Sequence, residues 1–137
     1  MANDAIHDAV VAALENDDWD IIKENWTLRY QEVRLAVDIF AKKTIFAQQG
    51  EKKILVEVKS FSGRSFIKQL QAALGQYGMY HNIILWEELD FELYMAISER
   101  VYSLFFTRQS TKDFLNAYQV KLLVIDTDEE KVVQWIK

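Results

Sequence analysis

The chain has 137 residues, of which 50% are hydrophobic and 27% charged, and its formal net charge is −5. This length supports one domain with a sizeable core and is too short for two comfortable ones, so we expect a single domain over residues 1–137. The absence of cysteine excludes disulfides and thiolate zinc sites and fits a reducing compartment. No signal peptide and no apolar run of roughly 20 residues is visible, so we expect a cytoplasmic protein without membrane contact. The acidic balance argues against a broad, sequence-independent nucleic-acid surface.

The hydrophobic periodicity predicts an alternation of helices and strands. In chain order the predicted elements are a helix at 4–15, strands at 25–31, 33–41 and 52–60, a helix at 65–81, a strand at 92–98, a helical segment at 99–118 in one or two pieces, and strands at 120–126 and 131–136. Gln48-Gln49-Gly50-Glu51 is the clearest turn, Ser65 is expected to cap the second helix, and His81 is expected at the end of that helix. This order predicts an α/β domain whose mixed central β-sheet is flanked by helices.

Two apolar strands each carry an ionisable group where a core residue is expected. Because successive side chains of a strand point to opposite faces, Glu57 and Lys59 share one face, opposite the apolar residues of their strand. On the preceding strand, Asp38 is expected to lie opposite Val37 and Ile39. An unpaired buried charge is expensive, so such groups usually have a metal, an ion pair or a chemical role.

These residue types favour a metal site for phosphate chemistry. Oxygen ligands without histidine or cysteine suit Mg²⁺ or Mn²⁺, which Asp38 and Glu57 would hold with the backbone carbonyl of Val58. The metal would polarise the scissile phosphate and lower the pKa of a bound water. Lys59 would orient that water or neutralise charge that develops on the phosphate. The alternative is an ion pair on the strand face that joins Glu57 to Lys59, and both interpretations stay open.

The second predicted helix carries polar side chains beside its apolar face. Gln76 and Tyr80 lie on one helical stripe, at the edge of the buried surface, where they could reach a substrate phosphate or Lys59. Tyr80 could equally be an ordinary aromatic residue at the edge of the core. Gly75 and Gly78 cost helix stability, which indicates either close approach of another backbone or of DNA, or packing against the sheet.

His7 lies about 40–60° from the centre of the apolar face of the first helix, on a geometry of 3.6 residues per turn. From there its ring could border the site and position substrate. A half-buried structural histidine is the alternative.

Basic residues are concentrated around the candidate site in the sequence. Between Lys42 and Lys68 there are seven basic residues and two acidic ones. This basic block would attract a phosphate backbone, and the alternative is a solvated charged face.

These residues resemble a known pattern. Asp38, Glu57-Val58-Lys59 and Gln76-Tyr77-Gly78-Met79-Tyr80 together resemble the PD-(D/E)XK nuclease signature, including the glutamine-to-tyrosine helix motif of its RecB-like branch. Nearly the whole chain is similar to the XisH family, the fdxN-element excision controlling factors of cyanobacteria. The similar segments are His7–Val10, Asp17–Trp19, Val56–Phe61, Ala73–Tyr77 and Val132–Ile136.

The resemblance implies a restriction-endonuclease-like core, a Mg²⁺ or Mn²⁺ site, and excision of a DNA element during heterocyst development. It also implies DNA, a site-specific recombinase and the small protein XisI as partners. Nucleases of the larger superfamily place a glutamate on the first helix, facing the metal. Here Glu15 points roughly 140° away from the apolar centre of that helix, and His7 is nearer the right place.

Three functional hypotheses follow. The first is a Mg²⁺-dependent DNA endonuclease in which Asp38, Glu57 and Lys59 are catalytic, while Gln76 and Tyr80 position the substrate. The second is a catalytically silent accessory protein that uses the nuclease fold as a scaffold, and the third is a toxin–antitoxin-like regulatory protein. No separate target-reading domain is visible, so sequence specificity is expected to come from a partner or from homo-oligomerisation.

Overall fold

Helices and strands alternate along the chain in the computed structural model, which describes residues 4–45 and 50–137. The strands are β1 (Asp20–Tyr30), β2 (Val33–Ile45), β3 (Gly50–Val58), β4 (Glu92–Ser98), β5 (Leu122–Asp126) and β6 (Lys131–Ile136). The helices are α1 (Asp4–Asn16), α2 (Phe66–Trp86), α3 (Glu99–Val101), which continues as a π-helical turn (Tyr102–Phe106), and α4 (Gln109–Ala117).

In the described part of the chain the six strands form one sheet in the order β1-β2-β3-β4-β5-β6. The pairs β1–β2, β2–β3 and β5–β6 are antiparallel, whereas β3–β4 and β4–β5 are parallel. A parallel pair needs a crossover connection, which α2 supplies for the first pair and the segment from α3 to α4 for the second. The predicted α/β class, with a mixed central sheet flanked by helices, is therefore confirmed.

Each face of the sheet carries its own apolar layer. On one face, here called the α2 face, Leu70 and Tyr77 of α2 pack in one cluster with Leu55 of β3. On the opposite α1 face, Leu14 of α1 packs with Val56 of β3. Full burial of an aliphatic side chain contributes about 2 kcal/mol, so the alternation of apolar residues along β3 holds a helix on both faces.

Helix α2 ends five residues later than predicted. Ile83 and Ile84 are buried in the core of the α2 face, so the helix continues until Glu87, whose backbone N–H donates to the carbonyl of Ile83 at 2.9 Å. The expectation that His81 ends this helix is therefore wrong. Ser65 does cap the start of α2, since its hydroxyl accepts the N–H of Lys68 at 3.3 Å.

Two other predicted boundaries change. β1 begins at Asp20 rather than at residue 25, because Ile21 packs against the α1 face and pairs with Ala41. The predicted turn at 48–51 falls partly outside the described residues, to which Gln48 and Gln49 do not belong, while Glu51 lies within β3. Across residues 4–45 and 50–137, no helix has both the length and the apolar character needed to cross a bilayer.

Candidate functional site

The alternation of side chains along β2 reverses at Asp38. Val37 packs on the α2 face and Ile39 on the α1 face, although regular strand geometry would place both on one face. Opposite this point on β1, Asn25 has a φ of 58°, in the left-handed region. The pairing of β2 with β3 begins only at Ile39, which faces Val56. The expectation that Val37 and Ile39 share a face is therefore wrong, and Asp38 lies where β2 separates from β3.

The carboxylates of Asp38 and Glu57 replace the missing backbone ladder at this separation. Asp38 Oδ2 accepts the backbone N–H of Val58 at 2.8 Å. In return, Glu57 Oε1 accepts the backbone N–H of Asp38 at 3.3 Å. Each carboxylate thus satisfies a backbone donor of the neighbouring strand, and the two side chains are held next to each other.

Glu57 is the one acidic residue buried in the described core, with 5% of its surface exposed. Burial, together with the neighbouring charge of Asp38, raises the pKa of Glu57 to about 7. The ammonium of Lys59, whose Nζ lies 3.5 Å from Glu57 Oε2, acts in the opposite direction. A second cation at this position would therefore stabilise the ionised form of Glu57.

Tyr80 and Gln76 join this cluster from α2. The Tyr80 hydroxyl donates to the carbonyl of Ala36 at 2.9 Å and accepts from Gln76 Nε2 at 2.7 Å. Tyr80 is 2% exposed, and burial, followed by the charge of Glu57, raises the pKa of its hydroxyl above the usual range. The neutral hydroxyl therefore fastens α2 to β2 two residues before Asp38, which accounts for Tyr80 as both a core aromatic and a member of the cluster.

The two glycines beside Gln76 have no packing role in the described chain. A Cβ placed on Gly75 or on Gly78 would meet no neighbouring atom within 4 Å. Packing against the sheet therefore does not explain these glycines.

His7 is held away from the cluster by another partner. Its Nε2 lies 2.6 Å from Glu24 Oε1 on β1, and its helix covers the α1 face, opposite the face that Glu57 occupies. Glu15, as expected, is exposed. Among the predicted site residues, the cluster thus contains Asp38 and Glu57, joined through backbone N–H groups, and Lys59, which lies beside Glu57. Gln76 and Tyr80 adjoin it through the Ala36 carbonyl, and His7 lies outside it.

The basic block divides in the folded chain. Lys42 pairs with Lys53, and Lys43 with Lys52, in the antiparallel register of β2 and β3. At about 3.3 Å per residue, this end of β3 lies roughly 13–17 Å along the strand from Glu57. The sequence predicted that these four lysines surround the candidate site. This prediction is wrong, because they lie at the other end of β3.

The atoms available to bind a metal at the cluster are all oxygen atoms. They comprise the carboxylates of Asp38 and Glu57 and, as the predicted third donor, the backbone carbonyl of Val58. No group of three or more His, Cys, Asp or Glu side chains suited to a metal occurs among the residues that the structure describes. Mg²⁺ is commonly held by one or two carboxylates together with water and substrate phosphates, so two carboxylates fit such an ion.

Sequence reasoning missed the backbone partners, the N–H of Val58 and the carbonyl of Ala36, because no residue type identifies them.

A family model and two solved structures relate the chain to the same family. A family model described as XisH protein matches residues 1–133. The crystal structure of an XisH family protein from Nostoc punctiforme superposes with a TM-score of 0.87 at 35% identity, over 98% of this chain and 100% of that chain. A fdxN element excision controlling factor protein from Anabaena variabilis gives a TM-score of 0.87 at 36% identity, over 98% of this chain and 99% of that chain. None of the curated proteins matches the chain. The chain therefore belongs to the XisH protein family.

Proposed function

We propose that this chain acts on DNA as an excision controlling factor of the fdxN-element type, through a nuclease-like metal site. The similar protein from Anabaena variabilis carries that description, and the alignment covers 99% of it at 36% identity. The observation that supports a metal site is the mutual anchoring of Asp38 and Glu57. Each carboxylate accepts a backbone N–H from the other's strand. It presents two carboxylates side by side in an otherwise apolar part of the sheet.

We further assign the chain to the PD-(D/E)XK superfamily, with its restriction-endonuclease-like core. The order of residues supports this assignment: Asp38 on β2, Glu57 to Lys59 at the end of β3, and Gln76 with Tyr80 on the helix that follows. The order of elements supports it as well, with a helix, three antiparallel strands, a crossover helix and a parallel fourth strand.

In this proposal Asp38 and Glu57 hold a Mg²⁺ or Mn²⁺ ion, together with the carbonyl of Val58. The fit rests on electrostatics, since burial and then the charge of Asp38 raise the pKa of Glu57, and a divalent cation would stabilise the ionised carboxylate against both effects. When bound, the ion supplies Lewis acidity toward a phosphate oxygen and acidifies water. The Lys59 side chain is 28% exposed, so its ammonium can reach a phosphate and neutralise the charge that builds up during cleavage.

Gln76 and Tyr80 of α2 position the substrate and do not react with it. The Tyr80 hydroxyl is committed to the Ala36 carbonyl and to Gln76, so Tyr80 orients the amide of Gln76 rather than reacting. Gln76 retains a second N–H, which can donate to a phosphate oxygen.

Membership of the XisH family supports the proposed partners, a site-specific recombinase and a small XisI-like protein. Co-expression with the small protein should therefore yield a stable complex, and failure of the two chains to co-purify would remove this part of the proposal.

Cleavage of supercoiled plasmid tests the catalytic part. The wild type should nick plasmid in Mg²⁺ or Mn²⁺ and not in excess chelator, and Asp38→Asn and Lys59→Met should each lower the rate at least 100-fold. Lys112→Met, at an exposed position on α4, removes the same charge from a distant surface and should cleave as the wild type does. Equal cleavage by all four proteins would identify a contaminating nuclease and sink the assignment.

A catalytically silent accessory protein is the second candidate. It is favoured by one observation: the described residues place two carboxylates at the cluster and no third acidic or histidine side chain with them. This candidate predicts no cleavage with any divalent metal, while binding to the recombinase or to the small partner persists in Asp38→Asn.

A further inference from the structure

A lysine-rich pocket lies on the α1 face, at the far end of the sheet from Asp38 and Glu57. Its volume is about 260 Å³, and its wall includes Trp19, Lys43, Lys52, Tyr94, Trp135 and Lys137. Lys52 is five residues before Glu57 on β3, or roughly 17 Å along the strand, and it points to the opposite face. The pocket is therefore separate from the candidate metal site.

The pocket contains like charges that the sheet places directly opposite one another. Lys43 of β2 and Lys52 of β3 are cross-strand partners, an arrangement that destabilises a sheet when both are charged. Lys137, which follows β6, adds a third ammonium, and this neighbour together with partial burial lowers the pKa of Lys52. Three positive groups thus meet in one recess of a chain whose net charge is −5.

The nearby carboxylates do not saturate these ammonium groups. Lys52 Nζ and Lys137 Nζ lie 3.4 Å and 3.7 Å from the same atom, Glu92 Oε2, and that oxygen already accepts the hydroxyl of Tyr94 at 2.8 Å. Lys43 Nζ donates to the carbonyl of Asp17 at 2.8 Å, but lies 3.8 Å from its carboxylate. An ammonium has three donors, and distances beyond about 3.2 Å leave most of them without a strong acceptor.

The aromatic wall gives the pocket a fixed shape. The Trp135 ring packs against Trp19 at 5.6 Å and against Tyr94 at 4.8 Å between ring centroids. Trp19 and Tyr94 are buried, so the surrounding core packs against these two rings. The Lys43 ammonium lies 5.6 Å from the centroid of the Trp19 ring, so the aromatic wall also helps to place this positive group.

We propose that this pocket binds a phosphate group, held by the ammonium groups of Lys43, Lys52 and Lys137. A phosphate carries several acceptor oxygens and close to two negative charges, which matches three converging ammonium groups better than the single charge of a carboxylate does. The phosphate can be a free ion or the monoester of a nucleotide, since the recess is large enough for a phosphate with part of its attached group. The proposal does not rest on nuclease activity.

Calorimetry on the full chain at constant ionic strength tests the pocket, with inorganic phosphate, thymidine 5′-monophosphate and thymidine as probes. Phosphate and the monophosphate should bind, thymidine should not, and Lys52→Gln/Lys137→Gln should weaken binding at least ten-fold. The control Lys23→Gln/Lys131→Gln makes the same change of charge at exposed positions and should stay within two-fold of the wild type.

The comparison between probes separates the two sources of phosphate. Tighter binding of the monophosphate indicates a nucleotide, and equal binding indicates the free ion. Lys43→Gln leaves the contacts of Glu92 in place and should also weaken binding, so the proposal remains testable if the double variant fails to fold. Absence of binding at millimolar probe, equal affinity in wild type and pocket variants, or equal affinity for thymidine would each overturn it.

Discussion

Asp38 and Glu57 each accept a backbone N–H from the other's strand, at 3.3 Å for Glu57 and 2.8 Å for Asp38, which bonds Val58. The reciprocal bonds hold two negative charges together at the place where β2 leaves β3. This geometry has a cost, because burial and the charge of Asp38 raise the pKa of Glu57 to about 7. The same cost makes the pair suited to a cation.

The raised pKa of Glu57 predicts a dependence of stability on pH. Between the ordinary value of 4.5 and about 7, the folded state binds the proton of Glu57 and the unfolded state does not, so the free energy of unfolding falls as pH rises through this window. Without metal, the contribution of Glu57 should fall by about 3 kcal/mol and then level off. Urea unfolding of the wild type and of Glu57→Gln at pH 4.5 to 8 measures it. A constant difference between the two proteins across that range would contradict the prediction.

Divalent metal should bind at Asp38. Asp38→Asn keeps an oxygen that can accept the N–H of Val58, so the fold should persist while one negative ligand is lost. We expect the affinity for Mn²⁺, followed by calorimetry, to fall roughly ten-fold or more, since even indirect changes at metal sites cost 10–100-fold. Asp128→Asn, at an exposed position after β5, should bind as the wild type does. If Asp38→Asn binds Mn²⁺ as tightly as the wild type does, the metal does not bind at Asp38.

The Tyr80 hydroxyl should contribute to stability by joining α2 to β2. Tyr80→Phe removes the donor to the Ala36 carbonyl and the acceptor for Gln76, which leaves both groups without this partner. We expect a loss of about 1–2 kcal/mol in the free energy of unfolding. Tyr118→Phe, at a side chain that is 53% exposed, is the matched control and should change little. If the two variants are equally stable, the contact is not maintained in solution.

Strand and helix periodicity predicted much of the candidate site. The alternation of β3 placed Glu57 and Lys59 on one face, and the helical period of α2 placed Gln76 beside Tyr80. Both follow from local geometry, which a single sequence records. The reversal at Asp38 could not be read in this way, because it depends on a distortion shared with β1.

The position of Lys43 and Lys52 shows a second limit of prediction from the sequence. In the sequence Lys43 and Lys52 belong to the basic block that was expected to surround the candidate site, whereas antiparallel pairing makes them neighbours at the other end of the sheet. Register between strands depends on pairing energies over many residues. A charge run therefore identifies which residues are basic, while the folded sheet decides what they surround.

Gly75 offers a test of what approaches α2. It lies inside the helix, and a Cβ there would meet nothing within 4 Å of the described chain, so Gly75→Ala should raise the free energy of unfolding by about 0.5–1 kcal/mol. Ala72→Gly, at an exposed position of the same helix, should lower it by a similar amount. Urea unfolding measures both, and a destabilised Gly75→Ala would show that the helix surface is occupied in solution. If Gly75→Ala is more stable and yet loses affinity for DNA or for the small partner protein, the glycine serves close approach of that ligand, because the added methyl group clashes only in the complex.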